Sequence, residues 1–164
     1  MRSYIEFSVD LKVCNIGIGT GEWDDYLGYL LAERTVTGTL TSIDSDSDIC
    51  TTFWYRQIRE GHPNPSHVIC DNILSTTIAP EQFDVVTLIG SAMTEVGQYE
   101  QTLQNCFRIL KHSGVFMYMD FLNTNHLQRA TKWLEKRLPY LIEKVASYER
   151  YPNISFFIMK IVKR

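Results

Sequence analysis

The 164-residue sequence contains only four cysteines, Cys14, Cys50, Cys70 and Cys106, and none of them forms a Cys-x-x-Cys pair. This spacing disfavours a zinc site and a disulfide framework, as in proteins of a reducing cytoplasm. No apolar run approaches the roughly eighteen residues of a membrane span, and the N-terminal segment lacks the apolar core of a signal peptide. The sequence therefore predicts a cytoplasmic protein with no metal site and no membrane segment.

Positive charge is not in excess either. The chain has 16 Lys and Arg against 19 Asp and Glu, a net charge of −3. Nucleic-acid-binding domains usually carry a strongly basic surface, so this balance disfavours DNA or RNA as a partner. The composition, 45% hydrophobic and 21% charged, is ordinary for a globular domain. We expect one domain over residues 1–164, with a short N-terminal arm over 1–11.

The prediction of a binding site rests on the stretch Val13–Gly21, in which an apolar run is followed by three alternate glycines. Glycines let the backbone approach a ligand closely, and the N-terminus of the following helix presents unpaired N–H groups. A dinucleotide-binding turn would place its third glycine at Glu22, and a P-loop would need Gly-Lys-Ser/Thr, which is missing here. The turn therefore predicts a nucleoside ligand without phosphates.

The rest of the chain alternates strands and helices. Apolar and β-branched runs predict strands over about 12–16, 39–44, 67–71, 83–89 and 115–120. Helical periodicity predicts helices over about 22–33, 99–110 and 124–138, and a further helix that begins after Ser45 or Ser47 and runs to about residue 60. Two closing β-rich runs, about 141–151 and 154–162, flank Pro152-Asn153 and predict a hairpin. The predicted fold is α/β, a Rossmann-like, doubly wound, mostly parallel seven-stranded sheet with an antiparallel C-terminal hairpin as its edge.

Local signals place the buried faces and ends of these helices. In the first helix, five residues share the predicted buried face: Trp23, Tyr26, Leu27, Leu30 and Leu31. Ser45 or Ser47 is predicted to cap the second helix, whose predicted inward residues are Ile49, Phe53 and Ile58. Lys111–Gly114 is predicted to end the third helix, with cations at its negative end and glycine beyond it.

Five motifs in this order resemble those of class I S-adenosylmethionine-dependent methyltransferases, from about residue 12 to the C-terminus. Val13–Gly21 resembles the first motif, although Asn15 stands where an acid is usual. Phe83–Val86 is similar to the fourth-strand motif. Arg108–Gly114 is similar to the Arg-x-Leu-Lys-Pro-Gly-Gly block, with His112 and Ser113 in place of proline and glycine. Two further matches, Asp44 and Asp71-Asn72, follow the second and third strands.

The resemblance implies S-adenosylmethionine as cofactor and an unidentified methyl acceptor as substrate. It implies that Asp44 binds the ribose hydroxyls and that Asp71 and Asn72 hold the adenine. Eleven residues are expected to bind the cofactor: Asn15, Gly17, Ile18, Gly19, Gly21, Asp44, Ser45, Asp71, Asn72, Ile89 and Gly90. Asp84, at the opposite end of its strand, is expected to be structural.

Candidates for a general base are Glu95 and Tyr99 after the fourth strand, with Asp120 and His126 beyond the fifth. Few residues precede the first strand, and 120–124 is a bare loop, so the site is expected to be open on one side. An open site fits a large substrate, a lid donated by another chain or a domain with little or no catalysis. Because a catalytic site excludes water, a partner chain or a second copy is expected to cover it. Two alternatives stay open: a cofactor-binding module without catalysis, and a nicotinamide-dependent enzyme, which Glu22 and the early Gly21 disfavour.

Overall fold

The computed structural model describes residues 5–90, 96–121, 132, 135–136, 142–151 and 154–163. Seven strands and three helices are defined within them. The strands are β1 (Lys12–Ile16), β2 (Thr39–Asp44), β3 (His67–Cys70), β4 (Phe83–Ile89), β5 (Leu110–Phe121), β6 (Ile142–Tyr151) and β7 (Ile154–Val162). The helices are α1 (Glu22–Arg34), α2 (Ser47–Glu60) and α3 (Tyr99–Ile109). Of the helix predicted over 124–138, the structure describes three residues, all helical: Lys132, Glu135 and Lys136.

The seven strands form one sheet in the order β3-β2-β1-β4-β5-β7-β6. The first five pair in parallel, whereas β7 is antiparallel to both β5 and β6. This confirms the predicted Rossmann-like α/β fold with its C-terminal hairpin. Within the hairpin, the antiparallel strand β7 lies inside the sheet, between β5 and β6, and β6 forms the edge. The apolar run of β7 is consistent with this inner position, since Phe157, Met159 and Ile161 are fully buried.

Each face of the sheet has its own apolar core. On one face, Val13, Leu40 and Val85 from three neighbouring strands pack against Leu27 and Leu31 of α1. On the other, α3 buries its apolar face against the sheet through Leu103, Cys106 and Phe107. The parallel strands are therefore covered on both sides, which explains why β4 carries apolar residues on both of its faces. No helix within the described ranges is long and apolar enough to cross a membrane.

The N-terminal arm packs on the α1 side of the sheet. Ile5 and Leu11 are buried, and Phe7 packs against the same cluster. Between them, the carbonyl of Val9 accepts the N–H groups of Val36 and Thr37 after α1. The described part of the arm, residues 5–11, therefore packs at the C-terminal end of α1 and forms no strand.

Three local predictions about α1 and α2 were wrong. Asp46, not Ser45 or Ser47, caps α2, because its carboxylate accepts the N–H groups of Asp48 and Ile49. Ile58 is 56% exposed, and Gln57 takes the buried position instead. Tyr26 is 40% exposed. The spacing of apolar residues thus predicts which residues of a helix are buried only to within about one position.

The end of α3 also differs from the prediction. The helix stops at Ile109, and β5 begins at once with Leu110. Ser113, with φ of +61°, takes the left-handed conformation that the sequence assigned to a glycine. At Gly114 a Cβ would lie 2.8 Å from the Lys111 carbonyl oxygen, so this glycine permits a close approach of the backbone. The segment 110–114 is therefore an irregular start of β5, where its register with β4 shifts.

Candidate cofactor-binding site

A cavity of about 320 Å³ lies at the carboxyl ends of β1, β2 and β3. Its walls are the glycine turn, the end of β2 and the loop after β3. Ten residues line it: Ile16, Gly17, Ile43, Asp44, Ser45, Asp71, Asn72, Ile73, Leu74 and Val96. Open α/β sheets bind ligands at this edge, and ligand sites of this volume are common. Five of the residues predicted to bind a cofactor therefore share one cavity.

Asp44 connects two walls of this cavity. Its Oδ2 accepts the Ile18 N–H at 2.8 Å and the Gly19 N–H at 3.4 Å. Its Oδ1 accepts the Asp46 N–H at 3.0 Å, directly before α2. The carboxylate at the end of β2 therefore fixes the glycine turn as well as facing the cavity.

The three glycines of the turn serve different purposes. All three have positive φ, at +83° for Gly17, +54° for Gly19 and +78° for Gly21. At Gly19 a Cβ would meet nothing within 4 Å, so this residue borders open space. At Gly21 a Cβ would lie 2.5 Å from the Phe53 ring of α2. Gly21, predicted as a ligand contact, is buried and serves the packing of α1 against α2.

Asp71 and Asn72 shape the loop after β3. The Asp71 N–H donates to the Asp44 carbonyl at 2.9 Å. The Asp71 carboxylate accepts the Thr76 hydroxyl at 2.6 Å and the Asn72 N–H at 2.8 Å. Asn72 Oδ1 accepts the Leu74 N–H at 2.9 Å. Both side chains hold this loop in place while lining the cavity.

Asn15 lies beneath the glycine turn and does not line the cavity. Its side chain is 1% exposed. Its Nδ2 donates to the Gly17 carbonyl at 3.0 Å and to the Asp24 carboxylate at 2.9 Å, while its Oδ1 accepts the Thr87 hydroxyl at 2.7 Å. With both amide atoms used in this way, the predicted direct contact of its side chain with a ligand is not what the geometry shows. The side chain supports the turn from below.

Asp24 is a buried acidic residue near the glycine turn that the sequence analysis missed. It is fully buried in the first turn of α1, and Ser42 also donates to its carboxylate. Burial raises the pKa of Asp24 to about 7, more than the hydrogen bonds from Ser42 and Asn15 lower it. A signal was present, because Asp24 stands at helical spacing from Leu27 and Leu31, on the buried face of α1.

A second polar cluster lies where β5 and α3 meet. The hydroxyl groups of Tyr99 and Tyr118 are 3.0 Å apart, and Tyr118 donates to Asp120 at 2.9 Å. Tyr118 and Asp120 are buried, whereas Tyr99 is partly exposed. Burial, followed by the neighbouring Tyr99 and Asp120, raises the pKa of Tyr118 well above its usual range. Tyr118 therefore stays a neutral donor, and it connects two residues that the sequence named separately.

The remaining predicted residues divide into three groups. Ile89 and Gly90 are partly buried at the end of β4, where the Gly90 N–H donates to the Met119 carbonyl. Glu95 and His126 lie outside the described residues. Asp84 is at the opposite edge of the sheet, paired with Lys111 at 2.7 Å and accepting the Lys12 N–H at 2.9 Å. Its predicted structural role is confirmed.

Comparison with protein-family models gives a match to the methyltransferase domain over residues 14–118. A comparison with curated protein sequences gives no significant match.

Solved structures with the same fold include two enzymes described as SAM-dependent methyltransferases. The one from Aquifex aeolicus has a TM-score of 0.77 at 13% identity, with 96% of this chain and 85% of that chain covered. The one from Methanosarcina mazei has a TM-score of 0.73 at 16% identity, with 99% and 95% covered. The [4+2]-cyclase SpnF, at 12% identity, has a TM-score of 0.75 with 94% and 74% covered. At these identities the similarity establishes the fold, and SpnF illustrates that one fold carries different chemistries.

Proposed function

Because the chain belongs to the methyltransferase domain family, we propose that it binds S-adenosylmethionine in the cavity beside the glycine turn and methylates an acceptor. The observation that carries this proposal is the position of Asp44 in that cavity, opposite Gly17. The residues present fit a nucleoside: one carboxylate for the sugar, apolar walls for the base, and, among the described lining residues, no cation for a phosphate. When bound, the cofactor supplies a methyl group activated on a sulfonium.

Asp44 is proposed to accept both ribose hydroxyls. An ionised carboxylate has about four lone-pair directions. The bonds from Ile18 and Asp46 use one direction on each oxygen, and the second N–H on Oδ2, that of Gly19, lies at the longer distance of 3.4 Å. Hydrogen bonds to a charged acceptor are roughly twice as strong as neutral ones. The backbone bonds also keep the carboxylate in place, so less side-chain freedom is lost when the sugar binds.

The adenine is proposed to lie between the apolar residues of the cavity and the loop after β3. Ile43 and Ile73 provide apolar surface there, and Asp71 and Asn72 stand at the rim. Because these two side chains already hold the loop through Thr76 and Leu74, the loop is in place before the base arrives. Gly17, Ile18 and Gly19 are proposed to contact the sugar and amino-acid portion through the backbone, with Ile89 and Gly90 beyond them.

Tyr99 is proposed to face the acceptor and to begin a proton path. Tyr118 donates to Asp120, so Tyr99 can donate to the Tyr118 oxygen. A proton released by the acceptor passes to Tyr99, the Tyr99 proton to Tyr118, and the Tyr118 proton to Asp120. Such general-base assistance contributes about 10² to 10⁴ in rate, added to the larger effect of positioning.

We also propose that a second copy of the chain covers the open side of the site. Ser45 and Asn72, at the rim of the cavity, are exposed. A closed site strengthens electrostatic interactions by excluding water. Gel filtration with light scattering at micromolar concentration should show a dimer, whereas a monomer with full activity would contradict this part of the proposal.

A cofactor-binding module without catalysis is the second candidate. It is favoured by Asn15, which places an amide where the resemblance leads one to expect a carboxylate. Calorimetry with S-adenosylmethionine, S-adenosylhomocysteine and NAD tests binding, and transfer of a labelled methyl group to fractionated cell extract tests catalysis. Methyltransferase function predicts binding of the first two compounds and label transfer. Binding without transfer would support the module, and binding of NAD alone would overturn both.

A further inference from the structure

Three polar residues lie side by side on neighbouring strands beneath the glycine turn. In the register of the sheet, Asn15 of β1 is level with Ser42 of β2 and with Thr87 of β4. All three are buried, and they follow an apolar row, Val13 and its partners, on the same face. A buried polar row in the centre of a sheet is costly unless every group has a partner. The partners come from α1.

Asp24 is the group that completes this row. Its two carboxylate oxygens accept one bond each from Asn15 and Ser42, and the Thr87 hydroxyl also accepts the Trp23 indole N–H at 3.2 Å. The network continues from Ser42 to Ser66, whose N–H donates to Gln57 at 2.8 Å. A fully buried carboxylate is thus held by uncharged donors.

We propose that Asp24 is a positioning residue that sets the ligand-binding shape of the glycine turn through Asn15. The inference rests on the proposed function for its ligand. One hydrogen of the Asn15 amide bonds Asp24 and the other bonds the Gly17 carbonyl, so the orientation of the amide determines where that carbonyl lies. An ionised Asp24 holds the amide more strongly than a neutral one, because charge-assisted hydrogen bonds are stronger.

After protonation of Asp24, every polar group of the network still has a hydrogen-bond partner, but the bond from Asn15 to Asp24 is weaker. A neutral carboxyl can donate to Ser42, Ser42 to Ser66, and Ser66 to the Leu40 carbonyl at 3.3 Å. Asn15 then donates to an uncharged oxygen. Since the pKa of Asp24 is raised to about 7, this change takes place near neutral pH.

Few other charges face Asp24. On α1 its neighbour is Asp25, which is paired with Arg56 of α2. On β1 it is Cys14, whose pKa is raised well above its usual range and which is therefore neutral. The groups that face Asp24 from β2 and β4 are the uncharged hydroxyl groups of Ser42 and Thr87. Asp25 is therefore the main charged neighbour among these groups.

The test measures the affinity for S-adenosylhomocysteine by calorimetry between pH 5.5 and 8.5. In the wild type we expect the affinity to be about fivefold lower at pH 5.5 than at pH 8.5, because a charge-assisted hydrogen bond is replaced by a weaker neutral one. Asp24→Asn imitates the protonated carboxyl, so it should bind about fivefold more weakly at pH 8.5 and show no pH dependence. Asp84→Asn, at the other edge of the sheet, is the matched control and should keep the wild-type profile.

A double variant tests whether the carboxylate acts through Asn15. Asn15→Asp alone places two carboxylates in contact and should weaken binding further. Asn15→Asp combined with Asp24→Asn restores one carboxylate and one amide and should recover binding to within about twofold of wild type at pH 8.5. Wild-type affinity and pH profile in Asp24→Asn would overturn the inference, as would failure of the double variant to improve on Asn15→Asp.

A measurement without ligand separates this inference from the proposed function. The side-chain NH₂ resonances of Asn15 should shift with pH in the wild type, with a midpoint near 7, and this measurement remains available if Asp24→Asn fails to fold. Resonances that do not move between pH 5.5 and 8.5 would overturn the role of Asp24. No binding of S-adenosylhomocysteine by the wild type would instead overturn the proposed function.

Discussion

The carboxylate of Asp44 lies against the backbone of Ile18, whose N–H donates to Asp44 Oδ2 at 2.8 Å across 26 positions of sequence. This bond joins the residue that closes β2 to the turn that follows β1. The other oxygen accepts the Asp46 N–H at the start of α2. Asp44 therefore fixes two loops that border the cavity, and both would lose an anchor if the carboxylate were removed.

Replacing Asp44 by alanine should weaken the binding of S-adenosylhomocysteine by more than tenfold. The variant loses the acceptor for the ribose hydroxyls and the support of the turn, and a hydrogen bond to a charged group is worth roughly 1.5–3 kcal/mol. Calorimetry measures the change in affinity directly. An unchanged affinity would show that the sugar binds elsewhere.

Replacing Asp46 by alanine should lower the stability of the protein and leave its affinity for S-adenosylhomocysteine nearly unchanged. Asp46 caps α2 through the N–H groups of Asp48 and Ile49, and loss of such a cap costs about 1 kcal/mol of stability. Its side chain does not line the cavity, and its own N–H still bonds Asp44. Urea unfolding should show the loss of stability, while affinity should stay within about twofold of wild type. A tenfold loss of affinity would mean that the two acids act together.

Two glycines of the turn should respond differently to alanine. Both Gly19 and Gly21 have positive φ, which costs a non-glycine residue roughly 1–2 kcal/mol. At Gly21 the new methyl group would also meet the Phe53 ring, and such overpacking adds about 1–3 kcal/mol. Gly21→Ala should therefore lower the free energy of unfolding more than Gly19→Ala does. Phe53→Leu in the Gly21→Ala background should recover part of the loss, and equal losses in the two single variants would contradict the packing role.

The bounds of β1, β2 and β4 could be predicted from the sequence to the residue, because each is an apolar or β-branched run that ends in a polar or glycine-rich turn. The position of Asp44 in the site followed from the same local signal. The family assignment, made from five short motifs, is confirmed by the match over residues 14–118. These features are local in sequence, so they need no knowledge of which strands are neighbours.

The features that could not be predicted depend on contacts between distant residues. The role of Asn15 needs the register that places it level with Ser42 and Thr87. Gly21 was predicted as a ligand contact because its packing against Phe53, 32 positions later, is not visible in the sequence. The predictions of a partner chain and of a cytoplasmic location stay predictions.

Replacing Tyr99 by phenylalanine should lower the rate of methyl transfer by about 10²-fold, the lower limit of general-base assistance. Tyr118→Phe should have a similar effect because it interrupts the path to Asp120. Neither variant should change the affinity for S-adenosylhomocysteine by more than about twofold. The readout is the initial rate of label transfer to an active extract fraction, with the exposed Tyr29→Phe as control. A normal rate in Tyr99→Phe would exclude Tyr99 as the base.

Asp24 should lower the stability of the protein at neutral pH while it supports binding. Its pKa is raised to about 7 in the folded chain, so between about pH 4 and pH 7 the folded state keeps a proton that the unfolded state releases. Stability should therefore fall as pH rises through this range and level off above pH 7. At pH 8 the cost is on the order of 4 kcal/mol, because the pKa is raised by about three units and each unit corresponds to about 1.4 kcal/mol.

Asp24→Asn should consequently be more stable than the wild type at pH 8, although it binds S-adenosylhomocysteine more weakly. Urea unfolding at pH 5, 6, 7 and 8 measures this, and the difference between the two proteins should grow with pH. A residue with a purely structural role would lose stability on substitution at every pH. Asp84→Asn, which removes a carboxylate at the opposite edge of the sheet, serves as the matched control and should keep the wild-type fall in stability with pH. Wild-type stability that is constant from pH 5 to pH 8 would contradict a buried carboxyl titrating near neutrality.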